Sequence, residues 1–202
     1  MAMMRRVAGR VLRTQLRLRW RLRHWQADQS GFTAVEFAIV AMPFVMLLFG
    51  TLSVCLFYFT NFTLENAVWQ ASRSIRTGQY QQGQGAYSGV ASAEDRKKAF
   101  KQALCAKAPS YIDCNKVIVL VQSNSGGFGS ITQPVCATDG TMVDQTKAEF
   151  NPGGASSVVL ITACYPWDFG GRLPFFSLNN MKDGSLLIQA SVAFRTEPYP
   201  TN

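Results

Sequence analysis

Histidine is nearly absent from this sequence: 202 residues contain one, His24, inside a basic N-terminal stretch. The rest of the chain therefore lacks the commonest general base, nucleophile activator and metal ligand, which speaks against a triad hydrolase. The five cysteines form no C-x-x-C pair, against a structural zinc or a thioredoxin-like redox centre. Walker, dinucleotide and kinase signatures are missing too. The glycine-rich GQGAYSG (83–89) has neither the preceding strand nor the spacing of a phosphate loop. Asp139, Asp144 and Glu149 share a flexible segment that could offer oxygen ligands to calcium, but their spacing matches no EF-hand and a solvated loop is the expectation. The chain is expected to be no enzyme, with no cofactor and no metal site.

Negative charge is scarce at the N-terminus. Residues 1–30 carry eight arginines against Asp28, which leaves twelve basic and eleven acidic residues in the remainder. Of the net charge of +8, +7 thus belongs to the first thirty residues, and the remainder, at +1, offers no basic surface for nucleic acid. Leu16, Leu18, Trp20 and Leu22 alternate with arginines, suiting a flank that seeks the membrane surface. An arginine-rich nucleic-acid arm and a transit peptide are the competing readings.

Charge is missing altogether from Phe37 to Phe59. As a helix, that run would extend roughly 35 Å, enough for a bilayer core of about 30 Å. It is too long for a secretory signal and is followed by no A-x-A site, and Val54 is too bulky for a lipoprotein site at Cys55. Arginines on its N-terminal side favour keeping residues 1–31 in the cytoplasm and carrying residues beyond about 60 across the membrane. Pro43 inside the run predicts a kink or a local opening. Leu64, Val68, Ala71 and Ile75 recur on one helical face up to Gly78, a natural stop, so the helix should run from Phe32 to Thr77.

Glu36 stands one residue before the run, where a carboxylate entering hydrocarbon needs a partner. Gly31, Phe32 and Glu36 in GFTAVEF resemble the processing site of type IV pilin-like precursors, in which a prepilin peptidase cuts after the glycine. With FTLENAVWQASRSIRTG (62–78) and QASVAFRTEPY (189–199), the chain resembles the TadE family, pilin-like proteins of tight-adherence (Tad) pili involved in adhesion and secretion. The leader, at 31 residues, is long for that pattern. The resemblance implies a minor pilin or pseudopilin anchored in the inner membrane, with the prepilin peptidase and other pilus subunits as partners. It also implies a mature N-terminus at Phe32, whose amine Glu36 of a neighbouring subunit would pair. Were Glu36 to serve no pairing, it would rest among headgroups. An uncleaved single-pass protein with a ligand- or wall-binding outer domain is the alternative.

The expected fold class is α+β and pilin-like: a basic leader (1–31), a transmembrane helix with its amphipathic extension (32–78), and an extracytoplasmic domain (79–202). That domain should hold a loop (79–91), a helix over 93–107 opened by Ser92 and Asp95 as an approximate capping box, and a small antiparallel sheet. Its strand candidates are 117–121, 157–165 and 186–195, the last with one wet face. The long connection 122–155 suggests binding loops or a minor hairpin. In the loop 166–184, Trp167, Phe169, Phe175 and Phe176 offer either a contact surface or buried packing, the latter being the expectation. Cys105, Cys114, Cys136 and Cys164, if outside the cytoplasm, read as two disulfides. Three connectivities are open, and the closeness of Cys105 to Cys114 favours that pair, leaving Cys136–Cys164. An inverted topology would instead leave four reduced thiols. Cys55 is expected to be a packed apolar residue.

Overall fold

A computed structural model describes residues 31–90, 92–172 and 178–200. The arginine-rich leader, Phe175 and Phe176 lie outside the described residues. Two compact units divide the chain, Met1–Phe49 and Gly50–Asn202.

Helix α1, Phe32–Arg76, passes from the first unit into the second and carries Pro43 within it without a break in the helix. In the first unit it is a single exposed apolar helix: Phe37, Ile39, Met42, Phe44 and Leu47 are all more than 60% exposed. In the second unit its character changes. Leu64, Ala67, Val68, Ala71, Ser72 and Ile75 form a buried stripe at steps of three and four, the spacing that turns side chains to one face of a 3.6-residue helix. Hydroxyls on that stripe are satisfied within the helix, Thr60 Oγ1 donating to the Leu56 carbonyl at 2.8 Å and Ser72 Oγ to that of Trp69 at 2.7 Å. Gly78, at φ 79°, ends the helix in the left-handed region. The last carbonyls are taken by N–H groups from Gly78 and Tyr80, and by Glu197 of the C-terminal tail at 2.9 Å from the Arg76 oxygen.

Helix α2, Ala93–Cys105, follows. Ser92 occupies its N-cap position, but its side chain makes no capping bond, so the expected capping box is not formed; Glu94 and Asp95 in the first turn instead complement the helix dipole. Strands β1 (Ile118–Asn124), β4 (Val158–Trp167) and β5 (Leu186–Arg195) make an antiparallel sheet in the order β1-β4-β5. Central β4 is buried along its whole length. Pro166 is tolerated there because β1 ends at the Ile118–Cys164 pair, and because Leu187, opposite Pro166, turns its own N–H away to Asn180 Oδ1 at 2.8 Å. The long connection holds a hairpin, β2 (Ala137–Thr138) and β3 (Thr141–Met142), turned through Asp139 and Gly140 at positive φ.

Two apolar layers result. One face of the sheet (Val119, Val121, Val159, Ile161, Ile188) meets Leu64, Val68 and Ile75 of α1 and Phe100 and Leu104 of α2. On the other face, Ile118, Leu120 and Cys164 are covered by Cys136, Met142, Val143 and Ala148 from the long connection, with Leu187 packed alongside. The expectation of one wet face on β5 is therefore only half correct: Ala193 and Arg195 are exposed, but Leu187, Gln189 and Ser191 are partly covered. The physical reason is the hairpin, which lies across that face rather than in solvent.

Candidate assembly and membrane site

Gly31, Phe32 and Glu36 lie where α1 begins, and all three are exposed. Among the described residues nothing comes within 4 Å of a Cβ placed on Gly31. Phe32, 71% exposed, stands four residues before Glu36, which puts the two one helical turn apart on the same face. No ion pair reaches Glu36 among the described residues.

The helix that follows is long and apolar enough to cross a membrane: its most apolar stretch has a mean hydropathy of 2.4, and only 6% of that stretch is buried. A core helix of similar composition would be wrapped by protein, whereas these side chains face outward. Cys55 is likewise exposed, a correction to its expected packing, since the buried stripe passes through Ser53 and Thr60 instead.

At the end of the apolar run the helix is braced from two sides. Tyr111 shares a hydrogen bond with Thr63 at 2.7 Å and stacks on Phe59 at 6.0 Å between ring centroids. Trp167, buried at the end of β4, meets Phe57 at 6.1 Å and Phe169 at 5.7 Å. Of the aromatics in the second loop, Trp167 is core and Phe169 is half exposed. Lys116 and Asp168 form an ion pair across the same region, and the bonded Asp168 carboxylate holds the Lys116 ammonium above the ordinary lysine range.

Cys105 is bonded to Cys114 and Cys136 to Cys164. The first bridge ties the end of α2 to the segment before β1; the second fastens the hairpin connection to the central strand. The acidic residues of that connection each serve locally: Asp139 turns the hairpin, Asp144 Oδ1 accepts the Thr146 N–H at 2.8 Å, and Glu149 Oε2 accepts Gln122 Nε2 at 2.8 Å. The Thr146 bond holds the Asp144 carboxyl below the usual range. The glycine-rich loop also has a structural role that sequence reading missed. Tyr80 and Tyr87 turn inward, their rings 5.0 Å apart, and the Tyr87 hydroxyl shares a hydrogen bond with Ser74 of α1 at 2.9 Å. Burial raises the Tyr80 hydroxyl to about 12 and that of Tyr87 in the same direction. The only sequence signal was two aromatics within a polar run.

A single lipid-length helix running into a disulfide-bonded α+β domain defines a helix-anchored protein of pilin-like build. Residues 31–73 match the family model described as TadE-like protein. That match begins at Gly31 and ends within the last turn of α1, so it carries the helix and leaves the sheet outside. No curated protein matches the chain, and no solved structure does.

Proposed function

We propose that this chain is a minor pilin or pseudopilin-like subunit of a Tad pilus assembly system, a structural protein and not an enzyme. It would enter the inner membrane through residues 37–59, with the leader in the cytoplasm and the sheet domain across the membrane. A prepilin peptidase would cut after Gly31. The observation that carries this reading is the coincidence of the TadE-like match with an exposed Gly31–Phe32 junction at the head of a continuous, unpacked apolar helix. Assembly would proceed by helix packing: Glu36 of one subunit pairs with the Phe32 amine of the next, so that two charges costly in lipid cancel only in register. Two disulfides in the domain accord with an oxidising compartment. Mass spectrometry of the chain extracted from membranes is the test. A mature N-terminus at Phe32 is expected; an intact leader would replace this reading with an uncleaved single-pass protein.

A further inference from the structure

We infer that the second unit carries a binding site for the headgroup of a zwitterionic glycerophospholipid, at the point where α1 leaves the membrane. The inference rests on the membrane-anchored reading above. A cavity of about 510 Å³ opens there, its floor made by Leu56, Phe59 and Thr60 and its walls by the end of β4 and by residues of the segments before β1 and after β4. Leu56 and Phe59 belong to the uncharged run, so the cavity opens at the depth where hydrocarbon gives way to headgroups. Its volume is that of a small-ligand site, largely apolar with a few convergent polar groups. Tyr and Trp beside Lys and Arg are the side chains that settle at this depth.

The charges select the headgroup. Asp113, Lys116, Asp168 and Arg172 line the cavity, and their formal charges cancel. Lys116 is already paired with Asp168. The exposed Arg172 guanidinium has no ion pair or side-chain hydrogen bond among the described residues, and Asp113 uses Oδ1 to accept the Asn115 N–H at 3.0 Å and lies within electrostatic reach of Lys116 and Lys101, with an ion pair to neither among the described residues. The Arg172 cation and the Asp113 carboxylate suit a lipid phosphate and a lipid ammonium, with Arg172 offering its planar fork to the phosphate oxygens. A net anionic headgroup brings a phosphate but no ammonium, so the Asp113 carboxylate would gain no partner from it. The acyl chains would follow the exposed faces of Leu52, Leu56 and Phe59, which are 43–57% exposed.

The test uses the full chain in nanodiscs of mixed phosphatidylethanolamine and phosphatidylglycerol, with lipids retained after detergent stripping read by native mass spectrometry. Carbonate extraction of the source membranes runs in parallel. Wild type should resist extraction and keep phosphatidylethanolamine severalfold over phosphatidylglycerol. Arg172→Gln should lose retained lipid of both kinds, and Asp113→Asn, by leaving a net positive cavity, should shift the preference towards phosphatidylglycerol. Both substitutions lie at exposed positions, and intact disulfides in each variant report its folding. Release of wild type by carbonate would overturn the anchor, and the site with it. An anchored chain that keeps both lipids alike, or whose preference survives both substitutions, would overturn the site alone. So would a benzoylphenylalanine crosslinker at Phe169 that captures protein and no lipid.

Discussion

Replacing Cys136 and Cys164 together by serine should release the hairpin connection from the second face of the sheet while leaving the helix-covered face closed. The bridge spans 28 residues of sequence and the other, Cys105–Cys114, spans 9. Loop closure in the unfolded chain makes them worth about 3.6 and about 2.6 kcal/mol respectively. The difference of roughly 1 kcal/mol is a lower bound for the ranking, because Cys136 and Cys164 are 2% and 0% exposed and sit in an apolar cluster, where a serine hydroxyl adds its own desolvation cost. Thermal or denaturant unfolding of the full chain in one detergent, followed by near-UV circular dichroism, gives the two losses. Hydrogen exchange gives their location: in the 136/164 variant, amides of 131–147 should lose protection while Val159 and Ile161 keep theirs. If the 105/114 variant proves equally or more destabilised, or if 131–147 stays protected, the hairpin is held by something other than the bridge and the reasoning fails.

The remaining predictions concern assembly and the core. Glu36→Ala and Glu36→Gln should still insert and still be trimmed after Gly31, but should not co-purify with other pilus subunits; normal incorporation of both would remove the pairing role. Gly31→Leu should insert and remain untrimmed, read as gel mobility beside a trimmed wild type. Leu64→Ala, at a fully buried position, should cost about 2–5 kcal/mol, whereas Phe62→Ala, 69% exposed on the same helix, should cost less than about 0.5 kcal/mol; equal losses would mean that the helix faces are assigned wrongly. Tyr80 sets an alkaline limit. Its hydroxyl lies at about 12 in the folded chain against 10.0 as the ordinary value, so its neutral form contributes stability that is complete below pH 10 and lost as pH rises towards 12. Tyr80→Phe should flatten that alkaline slope in short-incubation unfolding; an unchanged slope would show that Tyr80 is not its source.

Much of the architecture could be read from local pattern alone. A 23-residue run without charge can form little other than a lipid-length helix, and the Leu64, Val68, Ala71, Ile75 spacing fixes which face of its extension meets a core, because both follow from chain geometry within a few turns. β-Branched runs and strict alternation likewise located β1, β4 and β5 to within about three residues. Gly31, Phe32 and Glu36 were legible for the same reason: they are neighbours in sequence, and one helical turn suffices to relate them. What only the tertiary structure decided involves partners far apart in the chain. Nothing local shows that residues 131–147 fold back over Ile118, Leu120 and Leu187, or that Glu197 closes the end of α1. Nor does composition show that Tyr80 and Tyr87 leave a polar loop for the core. The cavity floored by Leu56 and Phe59 is the extreme case. Leu56, Asp113 and Arg172 come from three separate segments, and only packing, which depends on long-range contacts whose closure entropy no local pattern encodes, brings their side chains to one cavity.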